Sequence, residues 1–402
     1  MVAGDNETID RTAGRVRRRA VFHVGGYDPK STDAFFERLE KETRRFETTW
    51  DVVVEPGEPV PAPAVDIGHR QYIARDAAGA WTVTADVHFL TVDDIVLPGF
   101  ERPLHERIAR YLVRFADFWL RGPAFAFVRH AWRFALYFLF PFAMLLLVAT
   151  VTLVLAAFGF TIAWPLALPF GALGVWWGVR KLRDTSPAAH LMDLWSFSND
   201  YLHRRAPAME DKLERLGGVV ATTAEAGEID EIVMIGHSTG GALILDAAWH
   251  AVTRLGGPPS VPINILTVGS TGLKIGLHPA AGWFRERVGT LLDTPNVAWL
   301  EYQAHSDVIN LDRTDPAALM GLGPGRVRVR RVRMSQLLDA PTWRRIKRNF
   351  FRVHYQFVFA NTRRAAYDYC AALFGPLTAT ARDAYGAQAR RDLLPDGEPG
   401  RP

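Results

Sequence analysis

The sequence predicts an α/β chain with a mainly parallel sheet and an apolar helical hairpin inserted into it. Three observations predict this. Short apolar runs bounded by Gly or Pro alternate with longer stretches of helical spacing, the pattern of strands joined by helical crossovers. One run, residues 231–235, enters Gly236-His237-Ser238-Thr239-Gly240 and leaves through the small residues Gly241, Ala242, Ala247 and Ala248. Finally, no Asp, Glu, Lys, Arg or His occurs between Phe134 and Val179.

The elements follow in order. Residues 20–24 are a short buried strand ending at Gly25-Gly26. Residues 32–46 carry Phe35, Phe36 and Leu39 at helical spacing, with Asp33 suited to the positive end of a helix. A strand at 51–54, a Pro-rich loop at 56–63 and a β-rich stretch at 81–90 come next. Beyond the apolar run, 188–203 and 207–224 read as helices. Residues 231–235, 263–268, 297–302 and the Arg-studded 327–332 read as strands, 240–252 as a helix and 350–374 as largely helical. The chain divides accordingly: a flexible N-terminus (1–19), the first part of the α/β domain (20–100), an amphipathic segment (101–133), the hairpin (134–179), the second part of the domain (184–381) and a disordered tail (382–402).

A membrane span needs about 20 apolar residues, so the uncharged run fits two spans, near 134–158 and 162–179, with a turn at Gly159. Trp132, Tyr137, Trp164, Trp176 and Trp177 fall near the expected interfaces. Arg129 and Arg133 precede the run, and Arg180, Lys181 and Arg183 follow it. Both flanks, both termini and the α/β domain are therefore expected on the cytoplasmic side of the inner membrane. In 104–133, Tyr111, Leu112, Phe115, Phe118, Trp119 and Leu120 make an apolar face with a basic rim. That face suits either the headgroup layer or the protein core.

Composition narrows the function classes. The 402 residues carry a net charge of only +4 and no separate basic domain, which excludes a nucleic-acid partner and leaves membrane lipids as the expected one. The single Cys370 makes no internal disulfide, and the first 19 residues lack the apolar core of a signal peptide. No H-E-x-x-H, paired-Cys metal site or phosphate loop is present, so neither cofactor nor metal is expected.

The chemistry centres on Ser238. A sharp strand-to-helix turn needs Gly on both sides, lifts the hydroxyl above the sheet and aims the Thr239 amide at a developing oxyanion. A serine needs a base, and the base needs an orienting acid. Asp307, just past the strand 297–302, is the expected acid, with Asp312 and Asp315 as turn-capping alternatives. His354 is the expected base; His305 competes but precedes Asp307 in the chain. The second oxyanion amide is expected from Tyr27, or next from Gly26, in the loop after the first strand.

Together Gly-His-Ser-Thr-Gly at 236–240, Val-Gly-Gly-Tyr at 24–27, the late Asp and the final His resemble the α/β-hydrolase superfamily. More narrowly, Gly26-Tyr27-Asp28-Pro29, Asp93-Asp94-Ile95-Val96 and His354-Tyr355-Gln356-Phe357 resemble bacterial membrane-associated hydrolase-like proteins of unassigned substrate. In one departure, Val24 separates His23 from the Gly pair, where lipases often place His directly before Gly. The resemblance implies an α/β-hydrolase-type sheet, a Ser238–His354–Asp307 triad and ester, thioester or amide cleavage. The expectation is a membrane-anchored serine esterase acting on lipid-like substrates. A non-catalytic scaffold, or an acyltransferase using the same residues, are the alternatives.

Overall fold

Eight strands form one sheet in the computed structural model, which describes residues 14–388 apart from 59 and 186. They are β1 (Arg18–Val24), β2 (Val52–Pro56), β3 (Ile67–Asp76), β4 (Thr82–Leu90), β5 (Glu231–His237), β6 (Ile263–Val268), β7 (Val297–Gln303) and β8 (Arg328–Arg331). Their order is β2-β3-β4-β1-β5-β6-β7-β8. From β4 to β8 every neighbouring pair is parallel, whereas β3 runs against both β2 and β4. The chain is thus α/β with a mostly parallel mixed sheet.

The apolar runs of the central strands are explained by burial on both faces. Successive side chains alternate: Phe22 and Val24 of β1 and Ile232 and Met234 of β5 join one core, while Val21, Val233 and Ile235 join the other. Helix α1 (Thr32–Trp50) and the C-terminal helical segments cover the second core. The first is covered by α2 (Asp93–Glu101), α3 (Leu104–Leu120), α4 (Pro123–His130), the start of α5 (Trp132–Ile162), α7 (Ala188–Leu202), α8 (Pro207–Ala226), α9 (Gly240–Leu255), α10 (Leu273–Gly276) and α11 (Gly282–Asp293). Helix α6 is Ala167–Arg180.

Several expectations are corrected here. Strand β3 is not legible in the sequence, because His69, Arg70, Gln71 and Arg75 mask its alternation; its buried apolar side chains are few, Ile67 in the first core and Tyr72 and Ala74 in the second. Residues 350–374 are two short helices, Phe350–Tyr355 and Tyr369–Phe374, with a 3-10 turn after the first and irregular chain between. Asp368 caps the second by accepting from Ala371 N at 3.1 Å. Arg18 and Arg19 belong to β1 rather than to a flexible end, and a helix continues the tail to Gln388. The expected flexibility of 1–13 and disorder of 389–402 lie outside the described residues.

Helix α5 has 31 residues and is, among the described helices, the one long and apolar enough to cross a membrane. Its first third belongs to the domain: Phe134, Ala135, Phe138 and Pro141 are buried. The chain turns at 163–166, not at Gly159, which lies inside α5 where a Cβ would approach Leu166 O at 2.5 Å. Helix α6 returns along α5, with Gly174 over Thr152 and Gly178 over Val148. A Cβ on either glycine would come within 2.6 Å or less of α5. Its 14 residues reach about 21 Å, short of a hydrocarbon core of about 30 Å, so of the two expected spans α5 alone, among the described helices, has the length and composition of one.

Candidate active site

Because β1, β4, β5, β6 and β7 are parallel, their carboxyl ends share one edge of the sheet, where an open α/β sheet places its ligands. Ser238 stands there, one residue past β5, with φ +58°. A non-Gly residue in the left-handed region costs on the order of 1–3 kcal/mol and persists only where its surroundings hold it. They do: Ser238 N–H donates to Val268 O at 3.2 Å, and Ser238 O accepts from Thr271 N at 3.0 Å. The flanking glycines are obligatory, since a Cβ on Gly240 would come within 2.3 Å of Val24 O and Gly25 O, and one on Gly236 within 2.4 Å of Gly240 O.

Asp307 and His354 meet across 47 residues of chain. His354 Nδ1 lies 2.7 Å from Asp307 Oδ2, and both side chains are buried. A carboxylate can only accept here, so the proton sits on Nδ1 and Nε2 presents its lone pair. That Nε2 is buried and has no hydrogen-bond partner. Asp307 is fixed in turn: its Oδ1 accepts from Ile309 N at 2.9 Å, and Asn310 Nδ2 donates to Asp307 O at 2.7 Å. His237 packs on His354 with ring centroids 4.6 Å apart and donates from Nε2 to His354 O at 3.2 Å. Burial holds the His237 imidazole neutral, well below its ordinary pKa.

Ser238 and His354 line one small cavity of about 40 Å³, together with Gly26, Tyr27, Tyr137, His190 and Tyr355. No hydrogen bond joins Ser238 to His354 among the described residues, a looseness common before substrate tightens a site. The loop after β1 reaches the serine: a Cβ on Gly26 would sit 3.2 Å from Ser238 Cβ and 3.5 Å from its Oγ. The amides of Tyr27 and Thr239 enter none of the described turn, loop or cap hydrogen bonds. Tyr355 O–H donates to Asp28 Oδ2, pinning this loop to the His354 helix, and Lys30 pairs with Asp28 at 3.0 Å.

The rejected alternatives lie elsewhere. His305 is 61% exposed; its Nδ1 is 2.8 Å from Asp312 Oδ2, and its carbonyl accepts from Arg133. Asp312 therefore binds a histidine rather than capping a turn, while Asp315 caps a helix through Ala318 N at 3.1 Å. Sequence reading missed Tyr137, His190, Tyr355 and Lys274. In sequence Tyr137 reads as a membrane-interface residue and Tyr355 only as part of the His354-Tyr355-Gln356-Phe357 likeness, and His190 carries no local motif. Lys274 follows β6 in the short helix α10, is 1% exposed, and donates from Nζ to Thr239 Oγ1 at 2.8 Å. Desolvation lowers its pKa from 10.5 to about 7, and no carboxylate pairs with it among the described residues.

Asp117, His203 and His278 form the described cluster with metal-ligand composition. His203 Nε2 lies 2.8 Å and His278 Nε2 3.1 Å from Asp117 Oδ2. His278 Nδ1 accepts from Ala280 N at 3.2 Å, which places the ring proton on Nε2, facing the carboxylate. With His203, Asn199 and Arg121 donating and His278 close by, Asp117 is held as an anion, its pKa lowered to about 2 against the opposing effect of burial. A wider groove of about 790 Å³, lined by His69, His88 and Arg215, holds no serine or cysteine, and its Arg215 is committed to Asp66. No family model matches this chain, and no curated protein or solved structure matches it either.

Proposed function

We propose that this chain is a membrane-anchored serine hydrolase of the α/β-hydrolase type, cleaving ester or thioester bonds of lipid-like substrates. The observation that carries the reading is Ser238 in a strained strand-to-helix turn, sharing a cavity with an imidazole whose Nδ1 is held by Asp307 and whose Nε2 lone pair is unused. In the proposed mechanism His354 Nε2 takes the Ser238 proton as Oγ attacks the acyl carbon. Asp307 stabilises the imidazolium, and the Tyr27 and Thr239 amides receive the oxyanion. The protonated His354 then protonates the leaving alcohol or thiol, and water activated by the same nitrogen releases the acyl group.

The membrane reading is supported by the exposure of α5 beyond its first third and by the cations that flank 134–179. The 17 residues 164–180 reach about 25 Å and would form a second, shorter arm returning both chain ends to the cytoplasmic face. The lipid-like substrate is supported by two observations. The segment leading to α5 leaves from the carboxyl end of β4, on the Ser238 edge, and Tyr137 of α5 lines the Ser238 cavity. The test is labelling by a fluorophosphonate: wild type should react, Ser238→Ala should not, and equal labelling of the two rejects the reading.

A further inference from the structure

Helix α3 is apolar on two faces. Tyr111, Phe115 and Phe118 point into the core. Its outer side carries Ala109, Leu112, Val113, Ala116 and Leu120, spaced by three or four residues and all exposed, Leu112 at 40% and Leu120 at 87%. Beyond the exposed His105 and Glu106 of the first turn, the charged residues of α3 up to Asp117 are turned inward. Arg107 pairs with Asp193, while Arg110 and Arg114 pair with Asp200 at 2.7 and 2.9 Å, and Asp117 is taken by His203. Phe125 and Val128 of α4, 63% and 49% exposed, extend the surface toward α5.

We infer that this outer stripe of α3, with α4, lies in the interfacial layer of the bilayer that α5 enters. The inference deepens the membrane part of the proposal above and is independent of the Ser238 chemistry. Two observations select lipid as the occupant. First, α3 packs along the buried start of α5, with Phe115 stacked on Phe138 at 4.9 Å and on Phe142 at 4.6 Å. Second, α5 is too long for the hydrocarbon alone: 31 residues rise about 46 Å against about 30 Å. With its far end at the opposite interface, roughly the first ten residues stay in the near interfacial layer, and these are the residues that α3 flanks. A helix with an outward apolar stripe at that depth buries it about 5–10 Å into the headgroup–acyl boundary. Helix α3 is thus a platform that seats the domain, and the Ser238 edge with it, on the lipid surface.

The test uses the full chain with Cys370→Ala, carrying one environment-sensitive nitrobenzoxadiazole probe at a time, in phosphatidylcholine–phosphatidylglycerol vesicles. Probes go at Val113→Cys and Leu120→Cys, with Leu153→Cys in α5 and Thr222→Cys in α8 as references. Emission at 113 and 120 should shift to the blue and fall by roughly half with a lipid nitroxide about 5–10 Å below the phosphates, while position 222 stays unchanged. A water-like, unquenched probe at 113 and 120 beside a quenched probe at 153 overturns the inference and leaves α5 in the membrane. A blue shift without lipid quenching at 113 and 120 assigns the stripe to a protein contact and also overturns it. Water-like emission at 153 as well rejects membrane anchoring itself.

Discussion

The two edges of the sheet bury charge in opposite ways. At the amino edge Arg19 and Glu231 face each other in register on β1 and β5, 1% and 0% exposed. Arg19 Nε donates to Glu231 Oε2 at 2.7 Å, and its remaining donors reach the carbonyls of Leu373, Gly375 and Leu377. Glu231 also accepts from Asn264 Nδ2 at 2.7 Å and Ala379 N at 2.6 Å. At the carboxyl edge Ser238 is strained, His354 Nε2 has no partner, and the buried Lys274 ammonium has one hydroxyl and the face of Trp195 but no carboxylate among the described residues. A fully paired buried ion mainly secures the structure around it, whereas an unpaired one costs stability that packing does not return. The difference is what the proposed hydrolase reading expects, with the amino edge securing the fold and the carboxyl edge left for the proposed chemistry.

The largest effect should separate the two edges most cleanly. Asp307→Asn should slow fluorophosphonate labelling by about 10⁴-fold, because the wrong tautomer is then favoured at His354. Its thermal unfolding midpoint should stay close to wild type; a loss of labelling explained by unfolding would erase the contrast. At the amino edge, Arg19→Met should cost about 3–5 kcal/mol in denaturant unfolding by leaving Glu231 buried without its cation. Labelling per folded molecule should be unchanged, and a slower rate in the folded fraction would show that the edges are coupled.

The smallest effect concerns Lys274, beside the proposed oxyanion donor Thr239. Lys274→Met should slow labelling by about tenfold, the order of a charge-assisted contribution to an oxyanion. Below pH 7 the lysine is protonated in both folded and unfolded chains, so the folded state carries the full cost of the buried charge. Between about 7 and 10.5 the folded protein sheds this proton while the unfolded chain keeps it, so stability rises with pH. Methionine lacks this linkage. Its stability advantage over wild type should be greatest below pH 7 and shrink toward pH 10 in parallel unfolding titrations. His190 of α7, whose own pKa is lowered by burial and by this lysine, should shift upward in the variant. A stability difference independent of pH would show that Lys274 holds its proton in the folded protein as firmly as in the unfolded chain.

Much of the site was legible because it rests on local patterns. Gly236, Ser238 and Gly240 announce a turn whose steric demands are confined to five residues, and the strand before it announces itself by continuous burial. Asp307 and His354 were found from chain order and strand ends. Their 2.7 Å contact depends on Asn310 holding one loop and Asn349 capping the other helix through Arg352 N at 3.0 Å. Lys274 was overlooked because a lysine in sequence reads as solvated surface; only the packing of Trp195 and Thr239 around it makes it buried.

By itself the sequence determined the alternation of strands and helices, the uncharged stretch that makes α5 apolar, and the backbone demands around Ser238. These follow from side-chain chemistry and local sterics, which need no distant partner. Tertiary structure alone decided which strands adjoin, that β3 reverses, that the chain turns at 163–166, and that α3 spends its arginines on α7 and shows solvent an apolar side. Those outcomes depend on pairings between residues far apart in the chain. Leu112 and Phe115 are alike in composition, and only the neighbours that reach Phe115 make it core and leave Leu112 outside.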